Sequence, residues 1–364
     1  MGKLGISIYP EHSDREKDFA YMEKAAAYGF SRIFTCLLSA SRDIQVVKQE
    51  FGSFFAKAHE LGFEVAVDTN PEVFKALGAA PEDLSVFHSL GIDIIRLDGH
   101  FDDFKDALLT RNPYGIRIEF NGSSDTNVRG LIEHGADRRN MTFCHNFYPE
   151  RYSGLSQKTF DRFNEQWKTL GLPVAAFVTS QEKETFGPWP VYEGLPTLEE
   201  DRRLPIDAQV RHMIACETVD DILIGNAYAS EAELQAMAGV KRANTTIRIN
   251  LEKEIGEAER HALYDNKHAG RNDASEYFIR SSFPRLNFRN TAIPPRSCQD
   301  KMFRRGDVLV VNDNLSHYRG EVEIVLKDIE NDGQRNRAGR VADTDLRILE
   351  EMEKRPDHIF EIIP

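Results

Sequence analysis

His59-Glu60-Leu61-Gly62-Phe63 runs straight into Glu64-Val65-Ala66-Val67-Asp68, so a helix end, a glycine cap and a buried strand follow one another without a break. Glycine just past a helix adopts the left-handed cap at no steric cost. The run after it is short, apolar and partly β-branched, as a strand buried on both faces should be. The same device closes helical segments at Ala26-Ala27-Tyr28-Gly29-Phe30, His88-Ser89-Leu90-Gly91-Ile92 and Lys168-Thr169-Leu170-Gly171-Leu172. Gly29, Gly62 and Gly91 recur roughly thirty residues apart, the rhythm of βα units in a parallel α/β fold.

Working outward, eight strand candidates fit between residues 3 and 228: Leu4–Tyr9, Arg32–Leu38, Glu64–Asp68, Ile92–Leu97, Gly115–Phe120, Met141–Phe147, Val174–Thr179 and Asp221–Gly225. Helical spacing separates most of them, as in Asp14–Tyr28 with Phe19, Met22 and Ala26, and in Ile44–Leu61 with Val47, Phe51, Phe54 and Ala58. Eight βα units in about 240 residues predict a (β/α)8 TIM barrel, an α/β fold. A doubly wound sheet is the competitor, but Pro10-Glu11-His12-Ser13 after the first strand is no glycine-rich nucleotide fingerprint.

After Gly239 the rhythm changes. Thr245–Leu251, Tyr277–Arg280, Asp307–Asn312, Val322–Leu326 and His358–Ile363 read as short strands, with one helix over Asp343–Lys354. The chain therefore divides into residues 1–238, a barrel, and 239–364, a smaller β-rich domain of barrel type. The long connection Ser180–Leu204 carries Trp189 and Tyr192, and its length and aromatic content suggest a lid.

Composition restricts the partners. Hydrophobic content of 41% and charged content of 29% describe an ordinary globular chain, and a net charge of −13 argues against nucleic acid as a partner. Cys36, Cys144, Cys216 and Cys298 form no CxxC pair and read as reduced thiols. The start Met1-Gly2-Lys3-Leu4-Gly5-Ile6 enters a strand at once, without a charged segment before a long apolar one. No membrane span is expected, and the protein is expected in the cytoplasm.

A parallel barrel gathers chemistry at the carboxyl ends of its strands. The polar residues there are Tyr9 and Glu11 (first strand), Asp68 and Asn70 (third), Asp98 (fourth), Glu119 and Asn121 (fifth), His145, Asn146 and Tyr148 (sixth), Thr179 (seventh) and Asn226 (eighth). Asp98 and Glu119 stand out as carboxylates after apolar runs on neighbouring strands. One acid and one charged partner are what glycosidic cleavage needs. The competing reading is structural, with Asp98 capping a helix and Glu119 paired to Arg96 or Arg117. Asp68 is a third carboxylate, suited also to holding a sugar hydroxyl. No HxH ends the first strand and no HExxH occurs, so neither a metal nor a cofactor is expected. No strand ends in lysine, which counts against a Schiff-base aldolase. In the second domain Arg280, Arg296 and Arg340 are candidates for an anionic group, against the simpler reading of a solvated face.

The stretch Leu4-Gly5-Ile6-Ser7-Ile8-Tyr9-Pro10-Glu11-His12 resembles a bacterial family first catalogued as a domain of unknown function and now associated with 6-phospho-N-acetylmuramidase. The resemblance extends along the chain through Arg96-Leu97-Asp98, Ile118-Glu119-Phe120-Asn121, His145-Asn146-Phe147-Tyr148-Pro149 and Ala338-Gly339-Arg340. It implies a TIM barrel followed by a cyclophilin-like β-barrel. It also implies hydrolysis of 6-phospho-N-acetylmuramyl-N-acetylglucosamine to N-acetylmuramic acid 6-phosphate and N-acetylglucosamine, in cell-wall recycling. The partner it implies is a small phosphorylated amino-sugar disaccharide. Two other classes stay open: another phosphosugar-acting barrel enzyme, an isomerase or lyase, and a non-enzymatic carbohydrate-binding protein. Oligomeric state and stereochemical outcome are not readable from the sequence.

Overall fold

Eight parallel strands close on themselves in sequence order: β1 (Leu4–Ser7), β2 (Arg32–Cys36), β3 (Glu64–Thr69), β4 (Ile94–Leu97), β5 (Arg117–Asn121), β6 (Met141–Cys144), β7 (Val174–Val178) and β8 (Asp221–Ile224). The computed structural model describes residues 2–38, 44–288, 290–297 and 300–364. Cys298 lies outside them, and Cys36, Cys144 and Cys216 are buried. Helices follow the strands and shield the barrel, among them Arg15–Ala27, Ile44–Glu60, Gln157–Thr169 and Glu231–Gly239. The four glycines that suggested the fold, Gly29, Gly62, Gly91 and Gly171, have φ of 82, 81, 80 and 68°. Among the described residues no helix is long and apolar enough to cross a membrane.

The strand register decides what the barrel encloses. Asp68 is opposite Arg96, Arg96 opposite Glu119, and Glu119 opposite Thr142. Residues in register on adjacent strands share a face, so these four form one polar arc inside the barrel. An apolar cluster fills another part of the interior, with Tyr9, Phe34, Cys144, Phe177 and Leu223 packed together.

Two compact units divide the chain, one of Met1–Met213 with Thr218–Val240 and one of Ile214–Glu217 with Lys241–Pro364. The second contains β9 (Thr245–Leu251), β10 (His268–Ala269), β11 (Phe278–Ser281), β12 (Met302–Phe303), β13 (Asp307–Val311), β14 (Val322–Val325), β15 (Ile329–Glu330), β16 (Arg335–Val341) and β17 (Ile359–Ile363). Seven of these form a mixed sheet in the order β10-β17-β9-β16-β13-β14-β11, while β12 pairs with β15. The outermost strands meet where His268 Nδ1 lies 3.1 Å from Ser281 Oγ, which curls the sheet towards a barrel. The expected helix begins as a 3-10 turn over Asp343–Asp345 and continues as Leu346–Lys354.

The sequence reading missed β16 altogether. Arg335-Asn336-Arg337-Ala338-Gly339-Arg340 has no apolar alternation because carboxylates answer its arginines, Glu323 for Arg335 at 2.5 Å and Glu252 for Arg337 at 2.7 Å. The register against β13 slips between Val308 and Leu309, leaving Ala338 as the extra residue of a bulge. A Cβ on the adjacent Gly339 would stand 2.5 Å from the Asn250 carbonyl oxygen. We expect Gly339→Ala to destabilise the second unit by about 1–3 kcal/mol, read as an earlier thermal transition. An unchanged melting profile would show that the β9–β16 pair can widen.

Candidate active site

Arg96, on β4, is the hub of the polar arc. Its side chain is 3% exposed, and burial of a charge in this way is tolerated only when paired. One terminal nitrogen reaches Asp68 Oδ1 at 2.5 Å and Asp98 Oδ1 at 3.3 Å, and the other donates to Asn146 Oδ1. The two aspartates live in different surroundings. Asp68 is buried, and its carboxyl is pushed up to about 6, chiefly by desolvation and against the attraction of Arg96. Asp98 follows the end of β4, with its side chain 44% exposed.

Glu119 is not at a strand end, where the sequence suggested it. It is in the middle of β5, fully buried, with Oε2 accepting from Arg32 and, at 3.0 Å, from Thr142 Oγ1. Arg32 also donates to Asp221 Oδ2 at 2.8 Å. Each buried guanidinium is therefore shared by two carboxylates, Arg32 by Glu119 and Asp221 and Arg96 by Asp68 and Asp98. Oε1 of Glu119 is buried and makes no hydrogen bond. An unsatisfied carboxylate oxygen costs stability, and such groups in a native interior call for a functional explanation.

His145 and Asn146 continue from β6. His145 is fully buried, with Nε2 2.7 Å from Asn164 Oδ1 and Nδ1 3.0 Å from Ser123 Oγ. Because Asn164 Oδ1 can only accept, Nε2 carries the proton and Nδ1 accepts from Ser123. Burial, helped by the charge of Arg96 and opposed by the Asn164 bond, lowers the imidazole to about 4, so it is neutral near pH 7. Ser123 Oγ in turn accepts from the Asn146 backbone N–H at 2.9 Å. The imidazole thus orients the residue that holds Arg96 rather than facing outward. Asn121 accepts from the Ser123 N–H at 2.9 Å, and half-buried Tyr148 has its phenol raised by desolvation.

The remaining sequence candidates have internal work. Tyr9 is buried and donates to the Gly225 carbonyl at 2.6 Å. Glu11 belongs to the 3-10 turn Pro10–His12, and Asn70 caps the helix Pro71–Leu77 through Val73 N–H. Thr179 and Asn226 are buried latches of the long connection. Thr179 Oγ1 accepts from Leu195 N–H at 2.9 Å, while Asn226 Nδ2 donates to Thr185 Oγ1 at 2.6 Å. Within the second unit Arg280 lies 3.9 Å from Glu321, Arg296 2.8 Å from Glu259, and Arg340 3.5 Å from Asp307.

The 6-phospho-N-acetylmuramidase N-terminal domain family matches residues 4–239, and the C-terminal domain family of the same enzyme matches residues 245–361. The chain belongs to the 6-phospho-N-acetylmuramidase family. A solved structure titled as an uncharacterized B. cereus protein is similar over 100% of this chain and 99% of its own, at 39% identity and a TM-score of 0.90. A conserved protein of unknown function from an Enterococcus faecalis locus shares 26% identity over 99% and 96% of the two chains, with a TM-score of 0.67. No curated protein matches.

In this member of the 6-phospho-N-acetylmuramidase family, Arg32 is the site residue that sequence reasoning passed over. It opens β2, and only the closed barrel shows its side chain turned inward to Glu119 and Asp221. We expect Arg96→Met to cost about 3–5 kcal/mol, because Asp68 would be left buried without its cation. Adding Asp68→Asn should recover part of that loss in urea unfolding. A double variant as unstable as the sum of the singles would mean that the two residues are not coupled.

Proposed function

We propose that the protein is a glycoside hydrolase that cleaves 6-phospho-N-acetylmuramyl-N-acetylglucosamine, releasing N-acetylmuramic acid 6-phosphate and N-acetylglucosamine. The observation that carries this reading is the pair of carboxylates on one nitrogen of Arg96, Asp68 shielded and Asp98 open to solvent. Family membership names the substrate class. Asp68, with its raised pKa, suits the proton donor to the glycosidic oxygen; Asp98 suits the charged partner. Glu119, which the sequence suggested as the second catalytic carboxylate, acts in this scheme as negative charge beneath them. Each arginine faces two carboxylates, so the interior retains negative charge that stabilises an oxocarbenium-like transition state.

Both Asp68 and Asp98 oxygens lie close to the same nitrogen, so they are within about 6 Å of one another, below the ~6.5–9.5 Å of inverting enzymes. The reading therefore favours retention, and proton NMR of the reaction should show the β-anomer of the muramic product first. An initial α-anomer would overturn the assignment of this pair. Run in 18O-water, hydrolysis should place one label on the anomeric hydroxyl of the muramic product. An unlabelled, dehydrated product would indicate a lyase, and binding without turnover a sugar-binding protein.

Asp98→Asn and Glu119→Gln should each lose most turnover while remaining folded by circular dichroism; near-normal activity in either removes that residue from the chemistry. A proton donor works only while protonated, so kcat/KM should fall as pH rises through about 6, the value for Asp68. A rate that climbs through the same interval would assign the acid elsewhere.

A further inference from the structure

The connection between β7 and the helix Ile206–Ala215 carries aromatic side chains that no step above uses. We propose that Trp189 and Tyr192 form a stacking platform for the neutral N-acetylglucosamine ring on the leaving side of the scissile bond. This rests on the glycosidase reading and adds a specificity-determining surface to it.

Four observations lead there. The first is exposure: Trp189 is 42% and Tyr192 69% exposed, on a segment whose flanks are buried. Large apolar surface left in water on a well-held segment marks a binding surface. The second is rigidity. Trp189 is flanked by Pro188 and Pro190, whose fixed φ restricts the backbone on both sides. His12 Nε2 bonds the Pro188 carbonyl at 2.9 Å, and Ala227 N–H bonds the Phe186 carbonyl at 2.8 Å. On the far side Arg202 holds the Glu193 carbonyl at 3.0 Å, and Thr197 Oγ1 holds the Asn146 carbonyl at 2.9 Å. The lid expected from the sequence is a fixture, tied at both ends.

The third observation is continuity with the site. The Trp189 ring lies 5.9 Å from that of Phe147, the residue after the Asn146 that holds Arg96. The fourth is the character of the cleft. An open space of about 580 Å³ is lined by His12, Phe186, Trp189 and Tyr192, with Lys183 and Glu184 offsetting each other in charge. Aromatic faces without net charge suit the axial C–H face of an uncharged pyranose, not a ring bearing phosphate and carboxylate.

The chain has two tryptophans, and Trp167 is 1% exposed against Phe143, so a change in emission on adding sugar reports on Trp189. Titration of the whole protein with N-acetylglucosamine should shift the emission to the blue in the wild type and leave Trp189→Phe unshifted. Trp189→Ala and, as a second variant, Tyr192→Ala should lower kcat/KM on the disaccharide about 10- to 100-fold. Both should stay within about twofold of wild type on the methyl β-glycoside of 6-phospho-N-acetylmuramic acid, which lacks the second ring. Equal losses on both substrates would overturn the platform in favour of a role at the muramic ring or in folding. Unchanged activity on both, or no emission change with sugar, would also overturn it. If wild type hydrolyses neither substrate yet N-acetylglucosamine still shifts the Trp189 emission, the platform stands and the glycosidase reading falls.

Discussion

Two buried guanidinium groups, each claimed by two carboxylates, organise the interior of this barrel. Arg32 and Arg96 enter from neighbouring regions of the strand ring and cannot be buried unpaired. Their partners therefore come from β3, β5, β8 and the residue after β4. The same barrel also holds the apolar cluster of Tyr9, Phe34, Phe177 and Leu223, with Phe34 on the strand of Arg32 and Leu223 on that of Asp221. Asp68 is buried, and desolvation is the larger influence that holds its carboxyl up despite its contact with Arg96.

The scaffold around the arc is stiff at several levels. His145, neutral and doubly bonded, fixes Ser123, and Ser123 fixes the backbone of Asn146, which steadies Arg96. Preorganisation through a relay of short side chains, each with its own partner, keeps a charged group within the tolerance that catalysis demands. Thr179 and Asn226 do the same for the connection that follows β7.

Much of the fold was legible because βα units repeat a local signal. A helix end, a left-handed glycine and a short apolar run recur before β2, β3, β4 and β7, and all eight strands lie where they were expected, with ends shifted by a few residues at most. The second unit was less legible, and the reason is specific. Its strand β16 satisfies arginines with carboxylates on β14 and just past the end of β9, so the alternation that normally marks a strand is absent. The candidate site was legible as a set of residues but not as contacts. Asp68, Asp98 and Glu119 were all visible as carboxylates after apolar runs. Which of them share a cation depends on which face of the strand each occupies. Tyr9, Thr179 and Asn226 looked like rim groups, yet their polar atoms are spent inside the protein. Hydrogen-bond partners contributed by distant loops leave no trace in local spacing.

The mixed sheet of the second unit has a consequence for the order in which this chain can mature. Its first strand, β9, pairs in parallel with β17, and β17 separates β9 from β10. The barrel strands are complete once Ile224 has been made, and each pairs with its neighbour in sequence apart from the closing contact of β1 with β8. The second sheet instead waits for residues 359–363, about a hundred residues after β9, before β17 can pair with β9 and β10. During synthesis one hydrogen-bonding edge of β9 must therefore remain unpaired until the far end of the unit emerges. An unpaired strand edge is thus a longer-lived exposure in this unit than in the barrel.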